Sequence, residues 1–274
     1  MRITLKFDTL EPGGGYEWAR IVGDGLVKAG HTIQWKAKRV KHTGNWTPPP
    51  VVPDAVPADV TLDSSSGSNV TYPDQFSRTT VRILHGLLPR KNVRASVADR
   101  MVAVSESVRN HIGGNLPIDV IFNGIDFTRL PEPKPLGPLF GFCGRNVKNK
   151  RLDFARMVSV RASISLIEYG PGTIYGYVDD PWKYLNGRIK ALLLPSRKEG
   201  LSLVACEAVC LGIPVYMFPS AAALELRPFV TVVNSSSATA WARRVPELPN
   251  LEQARKVFNS ERMVKRWVNY VENL

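Results

Sequence analysis

Residues 191–216, ALLLPSRKEGLSLVACEAVCLGIPVY, contain the pattern that decides the fold. The apolar run from Ala191 to Leu194 predicts a buried strand that ends at Pro195. A polar loop, residues 196–200, then opens a helix from about Ser202 to Leu211. Strand, loop and helix in this order are typical of a parallel α/β sheet, in which ligands bind beyond the carboxyl ends of the strands.

Two carboxylates lie at the start of this helix. Glu199 is in the loop, and Glu207 lies eight residues further on, about two turns into the helix. The amides of Gly200, Leu201 and Ser202 have no acceptor inside the helix and can bind an anion such as phosphate. Carboxylates accept hydrogen bonds from pairs of sugar hydroxyls, so the segment suits a nucleotide sugar. The plainer alternative is a solvated Glu199 and a Glu207 that pairs with a surface arginine.

A basic turn follows another predicted strand in residues 139–153, LFGFCGRNVKNKRLD. Its cations are Arg145, Lys148, Lys150 and Arg151. Cations at the carboxyl end of a strand, beside a helix start, suit a diphosphate. Arg145 and Lys150 flank the turn and are the better candidates, whereas Lys148 and Arg151 fit a solvated turn.

The first half of the chain shows the same alternation of strands and helices. A strand is predicted at Ile3–Phe7, a glycine-rich loop at Glu11–Gly15, a helix at Tyr16–Ala29 and a second strand at Thr32–Ala37. The loop lets backbone amides approach a ligand closely. It lacks the G-x-G-x-x-G spacing of dinucleotide sites, which disfavours a nicotinamide cofactor.

A proline-rich segment, residues 131–138, predicts a linker between two domains. We therefore expect an α/β protein of two Rossmann-like, doubly wound domains that face a cleft. The domains would be residues 1–130 and 131–255, with a C-terminal helix, 256–274, that returns to the first domain. In the second domain, strands are predicted at residues 139–143, 163–168, 173–175, 191–194 and 215–218.

The composition is that of a globular protein with a large positive charge. The chain has 274 residues, of which 44% are hydrophobic, and a net charge of +12. No apolar stretch reaches the ~18 residues that span a bilayer. Cys143, Cys206 and Cys210 lie in apolar runs, which argues against a disulfide framework and for a reducing, cytoplasmic compartment. The charge predicts a polyanionic partner or an anionic surface.

Metal-ligand and hydrolase motifs are absent from the sequence. The four histidines lack H-x-x-x-H and H-x-H spacing, and neither D-x-D nor G-x-S-x-G occurs. We therefore expect no required metal.

Together these segments resemble the GT-B glycosyltransferases of the retaining family four. Residues 194–215 match the family signature LPS…EG…L…EA…G.PV, and residues 141–153 resemble its GR…K….D loop. Three further segments are similar to parts of the family. VIFNGID (120–126) resembles the stretch that leads out of the first domain, and ADRMVAVSESVRNHI (98–112) resembles the last strand and helix of that domain. FNSERMVKRWVNYV (258–271) resembles the terminal helix. The resemblance covers nearly the whole chain, which is compact for this family.

The resemblance implies a donor site for a nucleotide-diphosphate sugar, with a UDP-hexose as first choice. Arg145 and Lys150 would neutralise the leaving diphosphate, Glu199 would hold sugar hydroxyls and Glu207 the ribose hydroxyls. His85 would contact the sugar, although a hydrogen-bonded structural histidine is an equal alternative. The donor-binding residues would be Gly13, Gly14, Gly15, Gly144, Tyr177, Gly200, Leu201, Ser202 and Glu207. The nucleotide sugar is a co-substrate, and no other cofactor is implied.

The acceptor is inferred from charge. Residues 20–41 carry six basic residues and one acid, and residues 78–109 carry seven and two. Basic stretches with aromatic residues suit phosphate backbones and stacked bases, so a hydroxymethylated base in double-stranded DNA is the first expectation. Such an enzyme would be viral, for example from a phage, and would work in the host cytoplasm. A lipid or saccharide acceptor at an anionic membrane surface is the alternative. A non-catalytic nucleic-acid-binding protein with the same fold is the alternative of another class.

Overall fold

The computed structural model describes residues 1–41, 46–53, 56–65, 74–87, 93, 98–113 and 116–274. These residues form two compact units. Unit 1 comprises Met1–Gly124 and Asn259–Leu274, and unit 2 comprises Ile125–Phe258. The chain thus passes between units at 124/125 and 258/259, whereas the sequence placed these points at 130/131 and 255/256.

Unit 1 contains a parallel sheet with the strand order β2-β1-β3-β4-β5-β6. Its elements up to residue 120 are β1 (Arg2–Leu10), α1 (Gly14–Lys28), β2 (Thr32–Val40), β3 (Ala58–Asp63), β4 (Ser77–Leu84), β5 (Arg100–Ala103), α2 (Glu106–Ile112) and β6 (Ile118–Val120). Ile3 and Leu5 of β1 pack in the core with Val22 and Leu26 of α1, and none of the four is exposed. Ser105 caps α2, and its hydroxyl accepts a hydrogen bond from Val108 N at 3.2 Å.

Unit 2 contains a parallel sheet with the order β11-β10-β9-β7-β8. Its elements are β7 (Leu139–Cys143), α3 (Leu152–Ala162), β8 (Leu166–Tyr169), α4 (Trp182–Leu185), β9 (Ile189–Leu194), α5 (Leu203–Cys210), β10 (Val215–Met217), α6 (Ala221–Glu225), β11 (Thr231–Val232), α7 (Ala238–Ala242) and α8 (Leu251–Val257). Phe154 and Phe218 pack on Trp241 with ring centroids 5.4 and 4.9 Å away. The predicted α/β class, with a parallel sheet in each half, is confirmed.

The terminal helix α9 (Ser260–Glu272) belongs to unit 1, as predicted. It begins after Asn259, whose side-chain oxygen accepts a hydrogen bond from Glu261 N at 2.7 Å. Its Trp267 is fully buried and lies against Trp18 of α1, with ring centroids 5.4 Å apart. In the part of the chain that the structure describes, no helix has the length and apolar composition to cross a membrane.

The predicted strand at residues 173–175 is wrong. The segment consists of turns, because Gly170, Gly172 and Gly176 have φ angles of +134°, +80° and +68°. These left-handed conformations reverse the chain where a strand would continue. The Thr173 hydroxyl donates to Gly170 O at 2.8 Å and closes one turn.

Candidate functional site

The strand order of unit 2 brings two of the singled-out segments together. β7 lies beside β9, so the loops that follow these strands leave the same edge of the sheet. Asn149 in the first loop donates its side-chain N–H to Lys198 O at 2.9 Å. Arg197 N in the second loop donates to Asn149 O at 3.3 Å. These two hydrogen bonds therefore hold the basic turn and the loop at residues 196–200 together.

Lys150 and Glu199 form an ion pair across these two loops. Lys150 Nζ lies 2.5 Å from Glu199 Oε1, and the two side chains are 26% and 11% exposed. Lys150, the predicted ligand of the diphosphate, and Glu199, the predicted ligand of the sugar, are therefore in direct contact. Both remain accessible enough to meet a ligand.

Glu207 lies on the second turn of α5, as predicted. Its Oε2 accepts a hydrogen bond from Trp182 Nε1 at 2.8 Å. Cys143 lies at the end of β7, and its thiol senses both charges: burial, as the largest cause, and the Glu207 carboxylate raise its pKa to about 12 against an opposing effect of Lys150. Glu207 and Lys150 therefore both lie within electrostatic range of Cys143 at the end of β7.

The residues before α5 are buried. Gly200, Leu201 and Ser202 lead into the helix, and the Ser202 hydroxyl caps no amide of α5, all of whose residues are described. In the same loop, Ser196 Oγ is buried with no hydrogen-bond partner among the described residues. A buried hydroxyl without a partner costs roughly 1–3 kcal/mol, which a polar ligand atom would offset.

A third loop, residues 170–177, is fastened to the basic turn by backbone contacts. Asn146 N donates to Pro171 O at 2.9 Å, and its side-chain N–H donates to Gly172 O at 3.0 Å. A Cβ on Gly170 would lie 2.2 Å from Gly144 O, so only glycine permits this approach. The position of Gly144 is thus fixed by packing, and Tyr177 is the last residue of the loop and is partly buried.

Glu168, in β8, anchors this third loop through hydrogen bonds. The sequence did not single out this residue. Its carboxylate accepts hydrogen bonds from Arg156 Nε at 3.0 Å and from Ile174 N at 2.9 Å. Burial raises the pKa of Glu168, but the Arg156 guanidinium and the Ile174 amide outweigh burial and hold that pKa below its usual value. A carboxylate inside a predicted strand was the signal, because such a group must find a partner.

The cations of the basic turn differ in their surroundings. Arg145 and Lys148 are exposed. For Arg151, the prediction of a solvated side chain is wrong. Its guanidinium lies 4.4 Å from the ring centre of Phe154 and 4.7 Å from the ring centre of Phe218. Burial lowers its pKa. Its guanidinium therefore packs on aromatic rings rather than extending into solvent.

The other predicted site residues form a separate group in unit 1. Gly13 precedes α1, and Gly14 and Gly15 are the first two residues of that helix, in the connection that follows β1. A Cβ on Gly15 would lie 3.8 Å from Ser64 Oγ, and Ser64 Oγ lies 2.8 Å from His85 Nε2. Burial lowers the pKa of His85 to about 4, so this imidazole is neutral at pH 7. The glycine loop and His85 are therefore brought together, and His85 is hydrogen-bonded as its structural alternative requires.

The basic stretch of residues 20–41 is largely paired within unit 1. The ion pairs are Arg20 with Glu17 and Asp24, Lys36 with Asp74, Lys38 with Asp8, and Lys41 with Glu11, at 2.7 to 3.2 Å. Trp18, next to this stretch, is buried in the core. In the second basic stretch, Arg90, Lys91 and Arg94 lie outside the described residues. The positive charge of residues 20–41 thus mainly neutralises nearby carboxylates.

Metal ligands are not grouped in the part of the chain that the structure describes. No three histidine, cysteine, aspartate or glutamate side chains there lie close enough to hold an ion.

Comparison with known proteins identifies the fold. No protein-family model and no curated protein matches the sequence. The structure of AviGT4, a glycosyltransferase involved in avilamycin A biosynthesis, matches with a TM-score of 0.70 and 18% identity over 98% of this chain and 96% of that one. Sucrose-phosphate synthase from Thermosynechococcus elongatus gives 0.72 and 14% over 99% and 98%. Anabaena HepE, solved with UDP-glucose, gives 0.69 and 15% over 99% and 100%. The chain has the GT-B fold of these glycosyltransferases.

Proposed function

We propose that this protein is a retaining glycosyltransferase that moves a hexose from a nucleotide-diphosphate sugar, first of all a UDP-sugar, to an acceptor hydroxyl. The observation that carries the proposal is the contact between Lys150 and Glu199, 2.5 Å apart at the edge where β7 and β9 end. This pair lies beside the start of α5, whose second turn carries Glu207. A cation, a helix N-terminus and two carboxylates at one sheet edge suit a diphosphate attached to two polyols.

The leaving diphosphate is the group that needs most stabilisation. Negative charge grows on its oxygen as the glycosidic bond breaks, and fixed cations stabilise that charge more in the transition state than in the ground state. Lys150 supplies an ammonium, and Arg145 an exposed guanidinium at the start of the same turn. The first amides of α5 add the positive end of a helix dipole.

Each of the two carboxylates binds a different polyol of the donor. Glu199 accepts hydrogen bonds from hydroxyls of the transferred sugar, and Glu207 accepts them from the ribose. Support for a uridine donor comes from HepE, whose structure contains UDP-glucose. No protein base is assigned, since an oxygen of the leaving phosphate can accept the proton of the acceptor hydroxyl.

The reaction is proposed to need no metal ion. The positive charge that a metal would place on the diphosphate comes from Lys150 and Arg145. Full activity in the presence of EDTA would support this part of the proposal, and activity that returns only on addition of Mg²⁺ or Mn²⁺ would overturn it.

The test of the donor is incubation with a panel of UDP-, GDP- and ADP-sugars, in which release of nucleoside diphosphate is measured. We expect release from one base class, at a rate that rises when an acceptor is added. NMR of the product would then show whether the anomeric configuration is retained. No release from any donor, with DNA, lipid and saccharide acceptors all supplied, would overturn the proposed activity.

The acceptor is proposed to be a hydroxymethylated base in double-stranded DNA. Exposed Lys148, Arg197 and Lys198 in the two joined loops provide positive charge that is independent of the paired stretch at residues 20–41. Transfer of labelled hexose to hydroxymethylated DNA, and not to unmodified DNA, would support this acceptor. Transfer only to a lipid extract or to saccharides would replace it with the alternative. Duplex binding without any release of nucleoside diphosphate would favour the non-catalytic alternative.

A further inference from the structure

Glu207 has a buried partner that no sequence motif assigns. The indole of Trp182 donates its Nε1–H to Glu207 Oε2 at 2.8 Å. Trp182 is 3% exposed, so its ring cannot turn into solvent when a ligand arrives. The bond spans 25 positions in the sequence and joins α4 to α5.

Trp182 is held at both ends of its short helix. Asp180 Oδ1 accepts hydrogen bonds from Trp182 N at 3.0 Å and from Lys183 N at 3.3 Å. At the other end, Asn186 donates its side-chain N–H to Glu132 O at 2.7 Å, and its side-chain oxygen accepts from Lys134 N at 3.2 Å. The indole is therefore a fixed point, and the Glu207 carboxylate takes its orientation from it.

We propose that Trp182 is a positioning residue that sets the preference of the site for ribose over 2′-deoxyribose. It fixes Oε2 of Glu207, and the carboxylate then presents its acceptor lone pairs to the ribose hydroxyls in one orientation. The inference rests on the proposed function, in which Glu207 receives the ribose. A carboxylate oxygen can accept more than one hydrogen bond, so the indole and a hydroxyl can share it.

Trp241 provides a matched control. It is also a fully buried tryptophan of unit 2, and its Nε1–H donates to Ser235 O at 2.9 Å. Replacing either tryptophan with phenylalanine removes one indole N–H and a similar volume. Only Trp182→Phe removes a bond to a candidate ligand-binding side chain.

The experiment measures the dissociation constants of UDP and 2′-deoxy-UDP by calorimetry for the wild type, Trp182→Phe, Trp241→Phe, Glu207→Gln and the Trp182→Phe/Glu207→Gln double variant. We expect the wild type to prefer UDP, and Trp182→Phe to lower that preference by about tenfold, the size expected for one hydrogen bond to a charged group. Trp241→Phe should keep the wild-type ratio. The double variant should show no lower preference than Glu207→Gln alone, because Trp182 acts through Glu207.

The ratio of the two constants does not depend on the fraction of protein that is folded, so a partly unfolded variant remains informative. An unchanged ratio in Trp182→Phe would overturn the inference while leaving the donor site intact. An equal loss in Trp241→Phe would also overturn it, since it would show a general effect of core damage. A wild type that binds neither nucleotide would instead count against the proposed uridine donor.

Discussion

Lys150 and Glu199, 49 positions apart in the sequence, meet at 2.5 Å where two neighbouring strands end. The pair is only partly exposed, so each charge has lost part of its hydration and depends on the other. A phosphate oxygen could bind Lys150 and a sugar hydroxyl could bind Glu199 while the ion pair between the two side chains stays intact.

Glu199→Gln tests the carboxylate in this pair. The amide keeps the shape of the side chain but loses the charge that accepts from sugar hydroxyls, so we expect kcat/KM to fall by at least about 100-fold. The melting temperature should fall by only a few degrees, because Lys150 can still reach solvent. Glu247→Gln, an exposed acid paired with Arg244 in unit 2, is the control and should keep full activity. Near wild-type turnover in Glu199→Gln would contradict the assignment.

Lys150→Ala and Lys148→Ala compare two cations of one turn. Lys150 is paired with Glu199, whereas Lys148 is exposed. We expect Lys150→Ala to weaken binding of the nucleoside diphosphate by about 10- to 100-fold, because a charge-assisted hydrogen bond to phosphate is lost. Lys148→Ala should bind within about twofold of wild type, as expected for a solvated surface cation. Equal effects of the two variants, measured by calorimetry, would show that only the net charge of the turn matters.

Gly170→Ala tests the packing of the third loop. Both Gly170 and Gly212 have positive φ angles, but only at Gly170 would a Cβ meet backbone, at 2.2 Å from Gly144 O. We expect Gly212→Ala to lower the free energy of unfolding by about 1–2 kcal/mol through backbone strain alone. Gly170→Ala should cost more and should also weaken nucleotide binding, since it separates the third loop from the basic turn. Urea unfolding of both variants gives the comparison, and equal losses would contradict it.

His85→Gln should change the pH dependence of stability. The folded pKa of about 4 lies below the ordinary value of 6.5, so between these values the unfolded chain binds a proton that the folded chain does not. Stability therefore falls as the pH drops from 6.5 towards 4. Removing the imidazole should reduce the loss of unfolding free energy between pH 7 and pH 5 by up to about 2 kcal/mol. Urea unfolding at both pH values measures this, and an unchanged difference would show that the fold does not hold His85 as a neutral ring.

The strands and loops of the candidate donor site can be predicted from the sequence because each of the motifs involved is local. The loops after residues 143 and 194 could be identified from apolar runs that end in polar turns. Their contact depends on β7 lying next to β9, and this strand order is set by crossover connections that no local pattern records. Only the resemblance to a known family predicted that these two loops lie next to each other.

Other features could not be predicted because their partners are distant in sequence. Lys36 appeared as part of a basic stretch, but it lies 2.9 Å from Asp74, 38 positions away, and is buried with it. The hydrogen bond between Trp182 and Glu207 spans 25 positions, and no local pattern in the sequence indicates it. The residues 173–175 resemble a strand in composition, yet the positive φ angles of Gly170, Gly172 and Gly176 decide their conformation.

A crystal structure grown with the nucleoside diphosphate released in the donor panel tests the central claim most directly. The account predicts the diphosphate within hydrogen-bond distance of Lys150 Nζ and the first amides of α5, with the ribose hydroxyls on Glu207. A nucleotide bound elsewhere, with Lys150, Glu199 and Glu207 all untouched, would contradict it.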